Sequence, residues 1–521
     1  MILALSLLLA GCGGEKAPET AAPTIAPTEP AITEPVFENV TDIILDGDTV
    51  TAGGQVIGAE SESDCGVFVS RDIVYYEDKE AYESGYPYGE GDDWERHTAQ
   101  EAEAHTVVNI TRPGNYRLSG QLSLGQIRID LGENAGEDAD AVVNLILDGV
   151  DITCTVAPAI LFRNVYECDG NWSVETAKPD VDTSAAGANL ILASGSVNVV
   201  KGSHVAKIYK DKEGEKKLWK QDGALYSYMS MNIYGPGALE IQADNEGLGS
   251  ELHLTIFGGD ITIRSGNDGI NTNEDGVSVT AIHGGTLRVL AGLGEEGDGI
   301  DSNGYLVIYG GTVIAAAHPA SDAGLDSDLG SFIHGGTVIA LGAPMDWAES
   351  DSEQVTMNLQ FAEGQTGDIR VLREDGTELF AFSPAEDPVL SQNPRSYRGM
   401  ILSCPGFRVG EGCHVFVEGI QMGYTGTDVM HGPGTFKPGE DDQRPVGGIG
   451  IPEDRDDMPE PPEGDVTLPP QPSEGMEPVP QGTPPTWPGG TAPDRTQGGQ
   501  PQTLFFLQDK VNFFTGLAPA Q

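Results

Sequence analysis

Short runs of alternating apolar and polar residues dominate the chain from about residue 105 onward. They fall at 105–110, 116–119, 126–131, 142–147, 189–192 and 197–200, and Gly, Asn or Asp separates them. A period of two residues predicts short strands with one buried face. No stretch carries a convincing helical period. A strand pattern also occurs at 42–50, followed by an acidic, Tyr-rich stretch near 73–95 that reads as an irregular insertion.

Between residues 231 and 340 the pattern becomes an explicit repeat. The segments MNIYGPGALEI, LTIFGGDITI, TAIHGGTLRV, LVIYGGTVIA and SFIHGGTVIA begin at 231, 254, 280, 306 and 331. The second glycine of each falls at 237, 259, 285, 311 and 336, giving spacings of 22, 26, 26 and 25. That period is one coil of a β-helix, two or three short strands joined by turns. Alternation predicts an inward file of Ile233, Ile256, Ile282, Ile308 and Ile333. The glycine pair would form a corner where the backbone turns with positive φ or approaches another backbone closely. Leucine-rich repeats and propeller blades are excluded, since neither their signatures nor a period near 40 is present.

The period breaks at 346–430, where four strand patterns predict a small antiparallel cap over the open end. The predicted fold is therefore all-β, a right-handed single-stranded parallel β-helix over 36–345 with insertions near 73–95 and 201–220. The 346–430 cap follows, then a disordered Pro/Gly/Asp/Glu-rich tail over 431–503 and an apolar segment over 504–521 that can dock back as a strand.

A second set of motifs precedes each repeat strand. Aligned on their glycines, they place Asp222, Glu246, Asp268 and Asp298 in one column, with Ala323 in the fifth coil and Asp322 one step away. A second column holds Asn271, Asp301 and Asp326, and a third holds Glu251, Asn273, Asn303 and Asp328. Successive coils stack at about 4.8 Å. Carboxylates that close repel by about a kcal/mol or more when partly shielded. A bound Ca²⁺ offsets that repulsion with an oxygen-only ligand set. Asp268 with Asp298 and Asp301 with Asp326 are the leading ligand pairs; Asn271, Asn303, Asp322 and Asp328 are alternatives. The competing reading is that these residues only shape turns and cap backbone donors.

Tyr234, Phe257, His283, Tyr309 and His334 form one column that should face outward. Such rings can bind sugar faces or stack on one another to hold register.

Charge narrows the partners. The chain of 521 residues has 28 Lys and Arg against 81 Asp and Glu, a net of −53. That excludes nucleic acid as a partner and disfavours anionic polymers unless a divalent cation bridges the two. The one locally basic stretch, 201–220, reads as a loop. A monomer is expected.

The first residues, an apolar run ending Leu-Ala-Gly-Cys12, resemble a bacterial lipoprotein leader. The resemblance implies removal of the residues before Cys12 and lipidation of its thiol, followed by a tether over 13–35 and extracytoplasmic attachment to the cell membrane. Export would permit disulfides, and Cys404 with Cys413 and Cys154 with Cys168 are candidate pairs.

Residues 142–152, the Asp-Gly-Ile motifs at 268–270 and 298–300, the Gly-Gly-Thr turns and the ending at 511–516 together resemble the bacterial carbohydrate-binding β-helix lipoproteins related to pectate lyases. The resemblance covers about 105–345 in register and 346–430 more loosely. It implies cellulose or polygalacturonate binding and bound Ca²⁺, with Asp268, Asp298, Asp301 and Asp326 matching the family's acidic turn motifs. A lyase on this scaffold would need a basic residue to abstract a proton. Residues 221–345 contain no lysine and only Arg264 and Arg288, so the candidate base of a lyase is Arg264 or a lysine of 201–220 folding over. Binding is the favoured reading, with a polysaccharide lyase, a hydrolase and a structural adhesin or spacer as alternatives.

Overall fold

A computed structural model describes residues 32–47, 49–58, 64–77, 92–209, 218–427 and 501–520. Cys12, the leader, the tether to residue 31 and most of the acidic tail lie outside the described residues, as do the centres of the two insertions. The fold is nearly all β, 48% strand and 3% helical, and its large sheets are mostly parallel. One short α-helix, Ala99–Glu103, is capped by Thr98.

Three parallel ladders organise the repeat region. The first runs through Gly114–Leu122, Val143–Thr153, Ala188–Leu192, Met231–Tyr234, His253–Ile256, Val279–Ile282, Tyr305–Ile308 and Gly330–Ile333. The second continues from the far half of Val143–Thr153 through Val197–Gly202, Ala238–Ala243, Asp260–Arg264, Thr286–Leu290, Thr312–Ala316 and Thr337–Gly342. The third runs through Thr106–Ile110, Gly125–Asp130, Ile160–Asn164, Gly223–Ser227, Glu246–Ser250, Ile270–Thr272 and Ile300–Ser302. From residue 223 onward the chain visits the third, first and second ladders in turn, then begins again.

Each ladder contributes one apolar file to a shared core. Ile233, Ile256, Ile282, Ile308 and Ile333 stack in register on the first ladder, none more than 1% exposed. Leu239, Ile261, Leu287, Val313 and Val338 do so on the second, and Leu225, Leu248, Ile270, Ile300 and Leu325 on the third. Burying each side chain contributes about 2 kcal/mol. At the corner between the first and second ladders, Gly285 has φ +86°, and a Cβ there would lie 2.5 Å from the Gly259 carbonyl oxygen. Only glycine permits that approach.

Both ends of the ladders finish in antiparallel pairing, so the overall topology is mixed. At one end Val40–Asp46 pairs in parallel with Gly114–Leu122 but turns back through Thr49–Ala52 and Gln55–Ile57. At the other, Thr337–Gly342 pairs antiparallel with Tyr397–Ser403, which pairs antiparallel with Thr356–Gln365. The terminal strand Val511–Pro519 then adds in parallel to Thr356–Gln365. These strands satisfy edge donors and acceptors that a bare ladder end would leave open. The guanidinium of Arg395 also donates to the carbonyls of Ala291, Gly292 and Ala317, spanning two successive coils.

The cysteine pairs suggested by spacing are not formed. Cys154, Cys168, Cys404 and Cys413 are free thiols. Cys404 and Cys413 instead donate to the carbonyls of Leu379 and Phe505.

Candidate acidic face and aromatic column

The acidic motifs lie on the third ladder. Leu248, Ile270, Ile300 and Leu325 point into the core there, so their neighbours in the alternation point outward. The ladder register pairs Gly249 with Asn271 and Asn271 with Asp301. Asp326 continues that row, because its N–H donates to the Ile300 carbonyl while its own carbonyl accepts from Ser302. Glu246, Asp268 and Asp298 sit two residues before Leu248, Ile270 and Ile300, where simple alternation would turn them inward; the bond from Asn271 to Glu246, and the charge of Asp268 and Asp298 felt at Asp301, put them beside this row instead.

Two acids of the first column, Asp268 and Asp298, reach the backbone of the following repeat. Asp268 Oδ1 accepts from the Asp298 N–H at 2.7 Å, and Asp298 Oδ1 accepts from the Ala323 N–H at 2.6 Å. Asp322 Oδ2 accepts from Gly297 N–H at 3.0 Å and from Ser321 Oγ. Asp326 Oδ1 takes the Ser327 N–H. Asn303 Nδ2 donates to the Asn273 carbonyl and to Asp275 Oδ1. The capping role is thus present at Asp268, Asp298, Asp322 and Asp326, and it uses one oxygen of each.

The remaining oxygens are crowded and desolvated. Burial, reinforced by Asp326 and Asp268, pushes Asp298 up to about 9. Burial pushes Asp268 up to about 7, with Asp322 and Asp326 adding to it. Asp301 is raised well above the carboxylate range by burial and by Asp268, Asp326, Asp298 and Asp328. Glu246 and Glu251 are raised mainly by burial. At the other end of the face Asp346 meets Asp326 side chain to side chain, and burial with that contact lifts it to about 8.

Among the described residues, one cation from the basic stretch reaches this face. Lys220 Nζ pairs with Asp222, and its own pKa is raised because Asp222 and Glu246 outweigh its desolvation. The sequence allowed a lysine of 201–220 to fold over as a base, but did not reveal its pairing with the acidic column. Sequence reasoning also missed Asp346, which lies beyond the break in the period and carries no Asp-Gly motif.

The donor chemistry fits a hard cation. Asn271 Nδ2 donates to Glu246 Oε1 at 3.0 Å, but Asn271 Oδ1 and Glu246 Oε2 are buried without a hydrogen-bond partner. Orphaned oxygens beside carboxyls held partly protonated are what a divalent cation would satisfy. The side chains as placed do not form a ready cage. Among the described residues, no group of three or more His, Cys, Asp or Glu converges to hold a metal.

The aromatic column is continuous. Tyr234 and Phe257 stack at 4.7 Å and 1°, Phe257 and His283 at 5.1 Å and 15°, and His283 and Tyr309 at 4.6 Å and 11°. His334 follows at 5.4 Å, tilted by 45°. The inner rings therefore spend their faces on each other and present edges outward. Two segments flank them. The 165–187 loop lies over the outer face of the first ladder, where Thr183 bonds Asn232 and Thr255 and Val181 packs on Val279, Ala281 and Val307. On another part of that face Phe37 and Val40 pack with Ile146, Ile191, Ala193 and Tyr234, and Glu34 accepts from the Ser194 N–H.

Arg264, the candidate base, is paired with Glu240 at 2.8 Å, and Arg288 with Asp260 at 3.1 Å. Neither is a free basic group.

Residues 104–394, more than half of the sequence, match the family model of the carbohydrate-binding domain-containing proteins, and the chain belongs to that family. A carbohydrate-binding domain-containing protein of Acetivibrio thermocellus is 32% identical over 159 residues. That match takes in 30% of this chain and 45% of the relative, so it spans less than half the relative's length. Among solved structures, a polysaccharide lyase-like protein from C. thermocellum, as its gadolinium derivative, is 25% identical. That likeness covers 54% of this chain and 83% of the other, with a TM-score of 0.34.

Proposed function

We propose that this chain is an exported, lipid-anchored carbohydrate-binding protein, folded as a right-handed parallel β-helix, that takes up Ca²⁺ on its acidic face and binds cellulose or polygalacturonate. One observation carries the carbohydrate assignment: the family match over 104–394 takes in both the aromatic column and the acidic face. The cyclic order of the three ladders supports the β-helix reading, and the Leu-Ala-Gly-Cys12 sequence supports the anchor.

Asp268, Asp298, Asp301 and Asp326 would hold the cation, with Asn271, Asn303, Asp322 and Asp328 as further oxygen donors. Bound Ca²⁺ would supply the positive charge that lets these carboxyls ionise. In the column of Tyr234, Phe257, His283, Tyr309 and His334, ring edges would meet the glycan. Tyr hydroxyls and imidazole nitrogens would bond sugar hydroxyls there, since the inner ring faces are taken.

A glycan array probed in Ca²⁺ and in EDTA, with metal analysis of the purified protein, tests this reading. Binding that requires Ca²⁺ supports it. EDTA-insensitive binding detaches the metal from recognition, and an array with no bound glycan refutes the function outright.

A further inference from the structure

Trp94 offers what the stacked column lacks, an accessible aromatic face. It is 65% exposed, more than any other described aromatic residue singled out as exposed. Its indole ring lies 5.6 Å from that of His204 and is tilted by 48°. A hydrogen-bonded network around the buried His204 fixes this placement. Glu95, the next residue, lies 3.3 Å from His204 Nε2, and Asp244 Oδ1 lies 3.1 Å from His204 Nδ1. Ser203 Oγ bonds Asp244 Oδ2 at 2.5 Å, and His97 N–H bonds the Tyr76 carbonyl at 2.8 Å. The His204 side chain is 3% exposed, whereas that of Asp244 is 47% exposed. Both imidazole nitrogens face carboxylates, which keeps the ring protonated and the clamp ionic.

Trp94 thus stands on a rigid corner beside an exposed carboxylate. Lys201, Gln242 and Arg264 lie in register on the second ladder, one row leading away from that corner. Gln242 bonds Glu240, and Arg264 is already neutralised by it. Arg96 is partnered by Asp93. An apolar indole face beside hydrogen-bond acceptors suits a pyranose, whose C–H face stacks and whose rim hydroxyls donate. Two carboxylates, Glu95 and Asp244, against one protonated imidazole leave the clamp net negative, which disfavours a uronate at the same place.

We propose that the Trp94 corner, with Asp244 as hydrogen-bond acceptor, is a carbohydrate subsite for an uncharged hexose polymer, separate from the aromatic column and the acidic face. It rests on the carbohydrate-binding reading and narrows it, because such a corner selects neutral glucan over polygalacturonate.

The test is calorimetric titration of the full chain with cellohexaose and with hexagalacturonate, in EDTA and in Ca²⁺. It is paired with intrinsic fluorescence of wild type, Trp94→Ala and Trp94→Phe. The expected result is cellohexaose binding in EDTA that weakens about tenfold or more in Trp94→Ala and partly returns in Trp94→Phe. A ligand-induced emission change should vanish in Trp94→Ala, with the melting temperature unchanged. Cellohexaose binding that is equal in wild type and Trp94→Ala overturns the subsite and leaves the broader reading intact. Trp94-dependent preference for hexagalacturonate in EDTA overturns the assignment to neutral sugar. Loss of every glycan on the array in wild type overturns both.

Discussion

Asp298 gives a direct measurement of the charge stored on the acidic face. Its carboxyl is raised from the ordinary 3.8 to about 9 because burial and the neighbouring Asp326 and Asp268 disfavour its ionised form. A folded-state pKa above the unfolded one means the associated stability is complete below about pH 4 and is lost as pH rises through about 9. At about pH 8 a fixed environment would cost on the order of 5 kcal/mol, from about 1.36 kcal/mol per pKa unit. Partial solvent access and rotation of neighbouring carboxyls reduce this to about 2 kcal/mol, or about 2 °C in melting temperature for a chain of this size. Asp298→Asn removes the charge but keeps an oxygen to accept the Ala323 N–H. In EDTA the variant should match wild type near pH 4 and melt about 2 °C higher near pH 8.5. In millimolar Ca²⁺ the order should reverse, because wild type then gains the cation and the variant loses a ligand. Differential scanning calorimetry across pH, with and without Ca²⁺, reads this out. Parallel pH profiles for the two proteins in EDTA would refute the view that Asp298 is a buried, uncompensated acid.

Arg395→Ala removes the guanidinium that ties the carbonyls of Ala291, Gly292 and Ala317 and should cost about 3 kcal/mol in denaturant unfolding. Ile282→Ala opens a cavity in the middle of the inward file and should cost about 2–5 kcal/mol by the same measurement. Gly285→Ala combines a left-handed φ with a Cβ 2.5 Å from a carbonyl oxygen, so a loss of at least about 2 kcal/mol is expected. His204→Ala strands Glu95 and Asp244. Below about pH 9, the value to which Asp244 and Glu95 raise His204 against the opposing pull of burial, it should loosen the 92–97 segment. Hydrogen exchange at those amides checks this, and unchanged protection would argue against the clamp.

Much of the architecture was legible in the sequence because stacking is a nearest-neighbour problem. A period of 22 to 26 residues, an isoleucine every coil and a glycine pair after it fix which residue sits above which. The register Ile256 to Ile282 to Ile308, and the alignment of Asn271 with Asp301, follow from that periodicity alone. The column of rings was equally readable, since residues one period apart must meet.

What the rings, acids and loops do with those positions was settled only by contacts distant in sequence. No local pattern announces that Thr183 reaches Thr255, that Asp346 meets Asp326, or that Glu95 clamps His204. Whether a ring offers its face or its edge depends on the side-chain torsion chosen when neighbouring coils pack. Whether an aspartate is an exposed turn residue or a buried acid depends on what covers it. The sequence by itself determined the ladder and its register, through local periodicity. Only the tertiary structure decided which outward groups are covered, paired or open, because burial and charge compensation are sums over neighbours that the chain brings together from far apart.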